Sequence, residues 1–390
     1  MDFNSEYEAI SKEIEDIRLT LHSEPELSFS EYKTTELIKS FCMDCGLKII
    51  DLESQTGVVA YLDAGKPNTV ALRADIDALS VAASEANGFK RASHNCGHDF
   101  HTASLLAGAK ILSSNIESLQ SNVVFIFQPA EETTQGANML IKNGLFEKLP
   151  HTPRMVFGIH NRPEIPIGKV AVHRGALMAA KTNFTVTVIG KACHGGQPHQ
   201  GIDPIVCAAS FVSSVQTVIS RNTDPFDACV CTVCSIHGGS EDNQAPEYVK
   251  MTGSIRALSN ESVARCTDRV SELAKNIAAA YRCDCKTEIL PQVPAVYNNE
   301  HMYNIAYGIA REAFGEENIV DVSPVLGSED FAVYGEYVPS FFYWVGSGSP
   351  NKPVTPWHSA DFCIYNEYIP YAARLYCEAA LYNTEPLVII

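Results

Sequence analysis

The uninterrupted apolar run Val123-Val124-Phe125-Ile126-Phe127 constrains the fold of this 390-residue chain more than any other stretch. It has the length of a strand and no polar residue on either face, which indicates a strand that is covered on both sides. Such strands lie in mainly parallel sheets between two layers of helices. Residues 155–159 have a similar character. The sequence therefore predicts an α/β fold with a mainly parallel sheet packed between helices.

Hydrophobic periodicity predicts further elements on both sides of this run. Helices are expected at residues 6–21, 30–42, 101–112 and 302–314, and from about Glu367 to Asn383. Strands are expected at residues 48–51, 57–62, 69–74 and 340–345. This alternation of helices and apolar strands fits the same α/β plan.

A different pattern begins near Lys181. A strand (184–189), a helix (204–220), two strands (229–236 and 248–257), a helix (261–281) and a strand (286–290) follow in the ferredoxin-like β-α-β-β-α-β order. This unit of about 110 residues has the size of a domain, whereas the whole chain exceeds one ordinary core. We therefore predict a discontinuous α/β domain, residues 1–180 and 293–390, interrupted by an inserted α+β domain, residues 181–292.

The composition excludes several classes of partner. The formal net charge is −17, whereas nucleic acids and anionic membrane surfaces bind clustered Lys and Arg. No apolar run approaches the ~18 residues of a membrane span. The first residues lack the basic and apolar regions of a signal peptide. We expect a cytoplasmic protein that binds neither nucleic acid nor membrane.

The 13 cysteines fit that location if their thiols are reduced. Two C-x-x-C pairs, Cys42/Cys45 and Cys231/Cys234, have the spacing of a structural zinc site or a redox couple. The alternative, which we favour, is that these cysteines serve as small hydrophobic residues in a helix and a strand.

The densest group of metal-binding side chains lies at residues 93–101, which contain three histidines, a cysteine and an aspartate. Cys96 and His98 are good ligands for Zn, Mn, Co or Ni, and Gly97 allows the backbone to turn between them. Histidines also cap or hydrogen-bond the starts of helices. This spacing alone is therefore weak support for a metal site.

Two adjacent glutamates, Glu131 and Glu132, follow the apolar strand at its carboxyl end, where open α/β sheets place their active sites. Adjacent side chains of an extended backbone point in opposite directions. One glutamate could thus bind a metal while the other acts as a general base. A solvated acidic turn is the alternative for a bare Glu-Glu pair.

Single histidines, His160 and His358, lie at the ends of two other apolar runs. An isolated histidine in such a position is more often structural than a ligand. One cysteine, one glutamate and three histidines at converging strand ends are nevertheless the donors that a two-metal hydrolase needs.

These motifs resemble the amidohydrolase branch of the M20 metallopeptidase family, which includes N-acyl-amino-acid amidohydrolases, hippurate hydrolases and auxin–amino-acid conjugate hydrolases. The resemblance covers nearly the whole chain. Its ordered motifs are residues 21–27, 72–79, 96–99, 128–132, 158–160, 198–199 and 327–331.

The resemblance implies a site for two divalent metal ions, with Mn or Zn foremost and Co or Ni compatible. It implies that Glu131 is the general base and that one ligand, Cys96, bridges the two ions. The implied metal ligands are Cys96, His98, Glu132, His160 and His358.

Asp75 and Asp77 match an Asp-x-Asp motif of the family, and we interpret them as groups that orient the ligands. Strand-end hydrogen bonding is the alternative and is nearly the same role. Asp99 and His101 are not expected to bind metal. Phe100 is bulkier than the residue that relatives often have, and its size would narrow the substrate pocket.

In related enzymes the inserted domain acts as a lid and a dimerisation surface, so we expect a homodimer formed through this domain. The resemblance implies that His194 reaches a neighbouring active site and stabilises the oxyanion. It also implies that Asn243 and Arg256 contact the substrate; an arginine suits a carboxylate because it can form two parallel hydrogen bonds. Each of the three could instead be an ordinary surface or turn residue.

The implied function is that of a metal-dependent amidohydrolase, which cleaves the amide bond of a small N-acyl-L-amino acid with an acetyl, benzoyl or similar acyl group. A dipeptidase, a carboxypeptidase-like enzyme and an N-acetyldiaminopimelate deacetylase of the same fold stay open. A non-catalytic metal-dependent binding protein is the alternative from another class. The presence of Glu131 together with every expected ligand argues against it.

Overall fold

The structure is a computed structural model that describes residues 1–81, 91–349 and 353–382. The helices in these ranges are α1 (Phe3–Ser23), α2 (Tyr32–Asp44), α3 (His98–Ser114), α4 (Gly136–Lys142), α5 (Leu145–Lys148), α6 (Pro204–Asn222), α7 (Asn260–Ala280), α8 (Glu300–Phe314) and α9 (Ile369–Leu381). The strands are β1 (Lys48–Ile50), β2 (Val58–Leu62), β3 (Thr69–Asp75), β4 (Leu79–Val81), β5 (Arg91–Ser93), β6 (Asn122–Gln128), β7 (Met155–Pro166), β8 (Val170–Ala171), β9 (Gly175–Met178), β10 (Ala180–Ile189), β11 (Cys193–His194), β12 (Cys229–His237), β13 (Gln244–Ala245), β14 (Tyr248–Ala257), β15 (Asp284–Ile289), β16 (Val296–Asn298), β17 (Ile319–Val320) and β18 (Ser340–Gly348).

The chain divides into two compact units. The first consists of Met1–Gly175, Tyr297–Ser323 and the described part of Asp330–Ile390, and the second of Ala176–Val296 and Pro324–Glu329. Each unit has a hydrophobic core of its own.

The first unit is built on a sheet of eight strands in the order β1-β2-β6-β3-β7-β18-β8-β17. Its four central strands, β6, β3, β7 and β18, run parallel to one another. Antiparallel pairs join β1 to β2, β2 to β6 and β18 to β8. The prediction of an α/β fold with a mainly parallel sheet is confirmed.

The apolar run at residues 123–127 is the middle of β6, and every residue of this strand is buried. The helix that follows the Cys-Gly-His motif, α3, is buried along most of its length and packs against α1 and α9. A helix with an apolar surface on all sides belongs inside a domain rather than at its surface. The start of α3 is thus held rigidly next to the carboxyl ends of β3 and β6.

Two element bounds differ from the prediction where it matters for the site. Helix α3 begins at His98, three residues earlier than expected, because Gly97 adopts a left-handed conformation (φ +91°) that starts the helix. Strand β7 continues to Pro166, so His160 lies within the strand and the expectation that it ends the strand was wrong. The predicted end of the terminal helix, Asn383, lies outside the described residues.

The second unit contains a four-stranded antiparallel sheet in the order β12-β14-β10-β15. With α6 after β10 and α7 after β14, the chain follows the β-α-β-β-α-β plan. Buried residues alternate along β10, and they share a core with the buried faces of α6 and α7. Alternation of this kind marks a sheet with one covered face.

Two further findings concern the composition. All 13 cysteines are free thiols in the structure, and Cys42, Cys229 and Cys231 are buried in hydrophobic cores. Among the described residues, no helix has the length and apolar character needed to cross a bilayer.

Candidate functional site

Asp75 is the last residue of β3, and its register partner on β6 is Gln128, so the two strand ends lie side by side. The Asp75 carboxylate is fully buried, accepts a hydrogen bond from Nη1 of Arg73 at 2.9 Å and lies 2.6 Å from Nδ1 of His101. Burial opposes ionisation of Asp75, but His98, His101 and Arg73 outweigh it and hold the pKa well below its usual value.

Two polar residues near the start of α3 are engaged elsewhere. Nε2 of His101 accepts the backbone amide of Asn161 at 3.0 Å, so both ring nitrogens of His101 are occupied by hydrogen bonds. Asp99 lies 2.9 Å from Nδ1 of His22 and 3.6 Å from Arg18 on α1. Both side chains are thus held by contacts within the chain, and His101 also lies within 4.8 Å of donor atoms of Asp75 and His98.

Asp77 connects three parts of the site. One carboxylate oxygen lies 3.2 Å from Nδ1 of His98. The other accepts hydrogen bonds from Oγ of Ser28 at 2.7 Å and from the backbone amide of Glu132 at 3.0 Å. Because Asp77 engages Nδ1, the His98 ring presents Nε2 to the centre of the site.

Cys96 lies in the turn before α3. Its Sγ atom is 3.4 Å from Nε2 of His160, whose Nδ1 faces the carbonyl of Asn161 at 2.7 Å. A β carbon at Gly97 would lie 2.5 Å from the side chain of Asn161, so the close approach of this turn to β7 requires glycine. The turn thus brings the sulfur to His160.

Both tryptophans of the chain surround His160. The rings of Trp344 and Trp357 lie 5.4 and 5.3 Å from the His160 ring, edge to face, and 5.3 Å from each other. Nε1 of Trp357 donates to the side-chain oxygen of Asn161 at 3.1 Å. The apolar rings restrict the orientation of His160 and keep water from one side of it.

Glu131 and Glu132 follow β6 after Pro129 and Ala130. Oε2 of Glu131 and Oε1 of Glu132 lie 3.9 and 3.8 Å from Nε2 of His98. Burial, reinforced by the charges of Asp77 and Asp75 and opposed by His98, raises the pKa of Glu132 to about 7. A positive charge in the site would lower that pKa again.

His358 reaches the site from the C-terminal part of the chain. Its backbone amide donates to the carbonyl of Asn95 at 2.8 Å, and the side chain of Asn95 donates to the carbonyl of Ser359 at 2.7 Å. Nε2 of His358 lies 3.7 Å from Oε2 of Glu132. This residue is the exposed edge of the cluster, since half of its side chain is accessible.

Among the groups of possible metal donors that the described residues form, two share one sulfur, that of Cys96. Within each group the donor atoms lie within 4.8 Å of one another. One group is Cys96, His98 and His160, and the other is Cys96, Glu132 and His358.

Two buried atoms of this cluster, Nε2 of His98 and Oε1 of Glu132, make no hydrogen bond to any part of the chain that the structure describes. Buried polar atoms normally have partners. Sulfur, imidazole and carboxylate donors at these spacings therefore fit divalent metal ions of the Zn or Mn type.

The three other predicted site residues lie in the second unit. His194 is exposed on β11, and its Nδ1 accepts the backbone amide of Gly196 at 3.0 Å. Asn243 is exposed beside β13. Arg256, on β14, donates from Nη1 to the carbonyl of Leu326 at 2.8 Å. The structure thus brings Cys96, His98, Glu131, Glu132, His160 and His358 together with Asp75 and Asp77 in the first unit.

A buried network that was not predicted lies at the carboxyl ends of β3 and β6, next to these residues. Arg73 is fully buried on β3; its Nε donates to Gln128 at 2.9 Å and its Nη2 to Asp330 at 3.2 Å. Asp330 also accepts the backbone amide of Ala137 at 3.0 Å. A charged residue within an apolar strand was the available signal for this network, since a buried arginine requires partners.

Phe100 does not have the predicted role. It is buried in the core of the first unit, against the ring of Tyr368 and beneath the guanidinium of Arg18. These contacts direct the ring to the core, so the expectation that it narrows the substrate pocket was wrong.

Comparisons with known proteins agree with this architecture. Residues 71–382 match the model of peptidase family M20/M25/M40. The chain is 35% identical to IAA-amino acid hydrolase ILR1-like 2 of Arabidopsis thaliana over 94% of its own length and 84% of that protein. It is 33% identical to N-acetylcysteine deacetylase of Bacillus subtilis, over 95% and 97% of the two chains.

A solved structure is similar throughout. It is that of the Bacillus subtilis YXEP protein, described as a dinuclear metal binding peptidase from the M20 family, with 30% identity and a TM-score of 0.80 over 96% of this chain and 98% of that one. The match of the family model, the identity to these relatives and the shared fold lead to one conclusion: the chain belongs to peptidase family M20/M25/M40 and is a hydrolase.

Proposed function

We propose that this protein is a metal-dependent amidohydrolase that cleaves the amide bond of small N-acyl-L-amino acids, releasing a carboxylic acid and a free amino acid. The observation that carries the proposal is the sulfur of Cys96, which belongs to two groups of metal donors next to Glu131. The relatives support it, since one is named as a hydrolase of an IAA-amino acid and the other as a deacetylase of N-acetylcysteine.

Two divalent ions would be held by the donors of these two groups, with Cys96 contributing to both. Mn or Zn suits the mixed sulfur, nitrogen and oxygen donors, and Co or Ni is compatible. When bound in such a site, divalent ions lower the pKa of water and polarise the scissile carbonyl. The proposed holders are Cys96, His98, Glu132, His160 and His358.

Glu131 is the proposed general base. It takes a proton from the attacking water and returns it to the leaving nitrogen. Its carboxylate is 9% exposed and 3.9 Å from His98, a position beside the metal donors with access from solvent. Asp77 contacts Nδ1 of His98 and so holds its ring, and Asp75 contacts both His101 and Arg73.

The second unit supplies the remaining proposed groups. His194 would donate a hydrogen bond to the developing oxyanion, and its exposed position leaves it accessible to a site in its own or a partner subunit. Asn243 and Arg256 would bind the substrate, with Arg256 facing the carboxylate of the amino acid. We also propose a homodimer formed through this unit, and a cytoplasmic location that suits 13 free thiols.

A panel of N-acetyl, N-benzoyl and indole-acetyl amino acids tests the proposal. The metal-free protein is reconstituted separately with Mn²⁺ and Zn²⁺, and free amino acid is measured. We expect release from at least one member, loss of release with a chelator and recovery when metal is restored. N-acetyldiaminopimelate and dipeptides in the same panel separate the alternative enzymes. Tight metal binding without release from any amide would instead identify a non-catalytic binding protein.

A further inference from the structure

The two glutamates of the site are preceded by a residue in an unfavourable conformation. Ala130 is fully buried and has a φ of +55°, in the left-handed region that L side chains rarely adopt. Such a conformation persists when the surrounding contacts hold it in place. The contacts of Ala130 therefore help to decide how Glu131 and Glu132 leave the strand.

The backbone of Ala130 is held on both sides. Its carbonyl accepts the backbone amide of Gly136 and the hydroxyl of Thr133, each at 3.2 Å and each within the same turn. Its amide donates to Oε1 of Glu31 at 2.8 Å, a contact across 99 residues of sequence. Glu31 is itself fully buried. A distant carboxylate thus completes the support of this turn.

Glu31 occupies the N-cap position of α2 without serving as its cap. Its side chain makes no capping hydrogen bond to that helix, which the structure describes in full. Glu26 has this role instead, because its carboxylate accepts the backbone amides of Lys33 at 3.2 Å and Thr34 at 2.9 Å. The carboxylate of Glu31 is directed to Ala130.

The same segment also contacts the far end of the glutamate pair. Oγ of Ser28 donates to the Asp77 oxygen that accepts the backbone amide of Glu132. Residues 28–31 therefore hold the amide of Ala130 directly and that of Glu132 through Asp77. Both ends of the segment that carries the two glutamates depend on this part of the chain.

We propose that Glu31 is a positioning residue, which holds the amide of Ala130 and so sets the placement of Glu131 and Glu132 and the affinity of the site for metal. The inference rests on the metal-dependent hydrolysis proposed above. The role does not require a particular charge, because the carboxyl group has an oxygen that can accept the amide proton in either protonation state.

The test compares Glu31→Ala and Glu31→Gln with a matched control, Glu26→Ala, which removes a nearby carboxylate that caps α2. Calorimetry measures Mn²⁺ binding to each metal-free protein, next to thermal unfolding and kcat/KM. We expect Glu31→Ala to weaken Mn²⁺ binding by about 10- to 100-fold, as for other groups that orient metal ligands. Glu31→Gln should bind as wild type does, because its amide oxygen accepts the same hydrogen bond. Glu26→Ala should lower the melting temperature and leave Mn²⁺ affinity unchanged.

Unchanged Mn²⁺ affinity in Glu31→Ala, or an equal loss in Glu26→Ala, would overturn the inference. If Glu31→Ala does not fold, Glu31→Gln is compared with Glu31→Asp. The aspartate keeps the negative charge, but its shorter side chain does not reach the amide of Ala130. Tighter binding by the aspartate variant would then contradict the role. A wild-type protein that binds no metal would overturn the proposed function and this inference with it. Wild-type binding and turnover with an unaffected Glu31→Ala would overturn the inference alone.

Discussion

At the scale of single residues, Cys96 determines the chemical character of the site, since its sulfur belongs to both donor groups. Burial, followed by the charge of Glu132, raises the pKa of this thiol well above its usual value. A cysteine loses its proton when it binds a metal, so the affinity of the site should increase with pH.

Glu131 and Glu132 are adjacent, and their variants should separate catalysis from binding. Glu131→Gln should bind Mn²⁺ or Zn²⁺ normally and lose turnover by at least about 100-fold, because a general base contributes that much or more. Glu132→Gln is the matched control and should lose metal affinity as well. Calorimetric metal titration and kcat, measured on both variants, distinguish the catalytic role of Glu131 from the metal-binding role of Glu132. Full turnover in Glu131→Gln would remove it from the mechanism.

Glu31 should make the stability of the metal-free protein depend on pH. Burial raises the pKa of Glu31 from 4.5 to about 7, so between these values the folded state binds more protons than the unfolded state. This contribution to the free energy of unfolding is complete below the unfolded pKa and is lost as the pH rises through the folded one. From pH 5 to pH 8, wild type should lose about 2 kcal/mol more than Glu31→Gln, which does not titrate.

Urea unfolding of both proteins at the two pH values measures this difference. The subtraction cancels the other titrating groups, which the two proteins share. An identical pH dependence in wild type and Glu31→Gln would show that the carboxyl group titrates as it does in the unfolded chain.

At the scale of elements, the turn between β6 and α4 is tightly packed. A β carbon at Gly136 would lie 1.6 Å from the backbone carbonyl oxygen of Pro129. Gly136→Ala should therefore open the turn, cost about 3 kcal/mol or more of unfolding free energy and weaken metal binding. Gly108→Ala, in the middle of α3, is the control, because its added methyl group meets its nearest neighbour at an ordinary 3.5 Å. Alanine should stabilise that helix by up to about 1 kcal/mol. Chemical unfolding measures the free energy of unfolding of both variants. A Gly136→Ala protein as stable as wild type would contradict the tight packing of this turn.

The elements that were predicted correctly are those whose burial dictates their sequence. Strand β6 is apolar because both faces are covered, and its observed bounds exceed the predicted run by one residue at each end. The second half of β7 contains Arg162, Pro163 and Glu164 and has no strand-like pattern. Backbone pairing with β18 holds it in place, and such pairing does not depend on the side chains. The sequence could therefore not indicate that His160 lies within a strand.

At the scale of the whole molecule, the two units have separate cores, and the donor groups named above lie entirely in the first. A ligand that binds one unit stabilises that unit. Mn²⁺ at 100 times its Kd should add about 2.7 kcal/mol to the stability of the first unit. Its melting temperature should rise by roughly 5–10 °C, with that of the second unit unchanged.

Differential scanning calorimetry with and without Mn²⁺ tests this expectation. The control is Cys96→Ala, in which the metal-dependent shift should be lost while both transitions remain. A single transition that moves as a whole would show that the units unfold together, and the metal would then stabilise both.

The convergence of the site could be predicted only in part. The ordered motifs indicated which residues between Cys96 and His358 would meet, and the structure brings those side chains together. Buried contacts around the site, such as Arg73 with Asp330 and Glu31 with Ala130, join residues 257 and 99 positions apart. Contacts of this kind depend on how the elements pack, and a single sequence carries no record of that packing.

The two tryptophans beside His160 should make the intrinsic fluorescence of the protein sensitive to metal binding. The chain contains two tryptophans, Trp344 and Trp357. All of its indole emission therefore originates beside the His160 ring. Adding paramagnetic Co²⁺ to the metal-free protein should quench this emission in step with occupancy, while Trp357→Phe should retain a weaker response from Trp344. The decrease in tryptophan emission would then measure the fraction of occupied metal sites without an added dye or substrate. Emission that stays constant while bound cobalt is measured directly would place the metal away from His160.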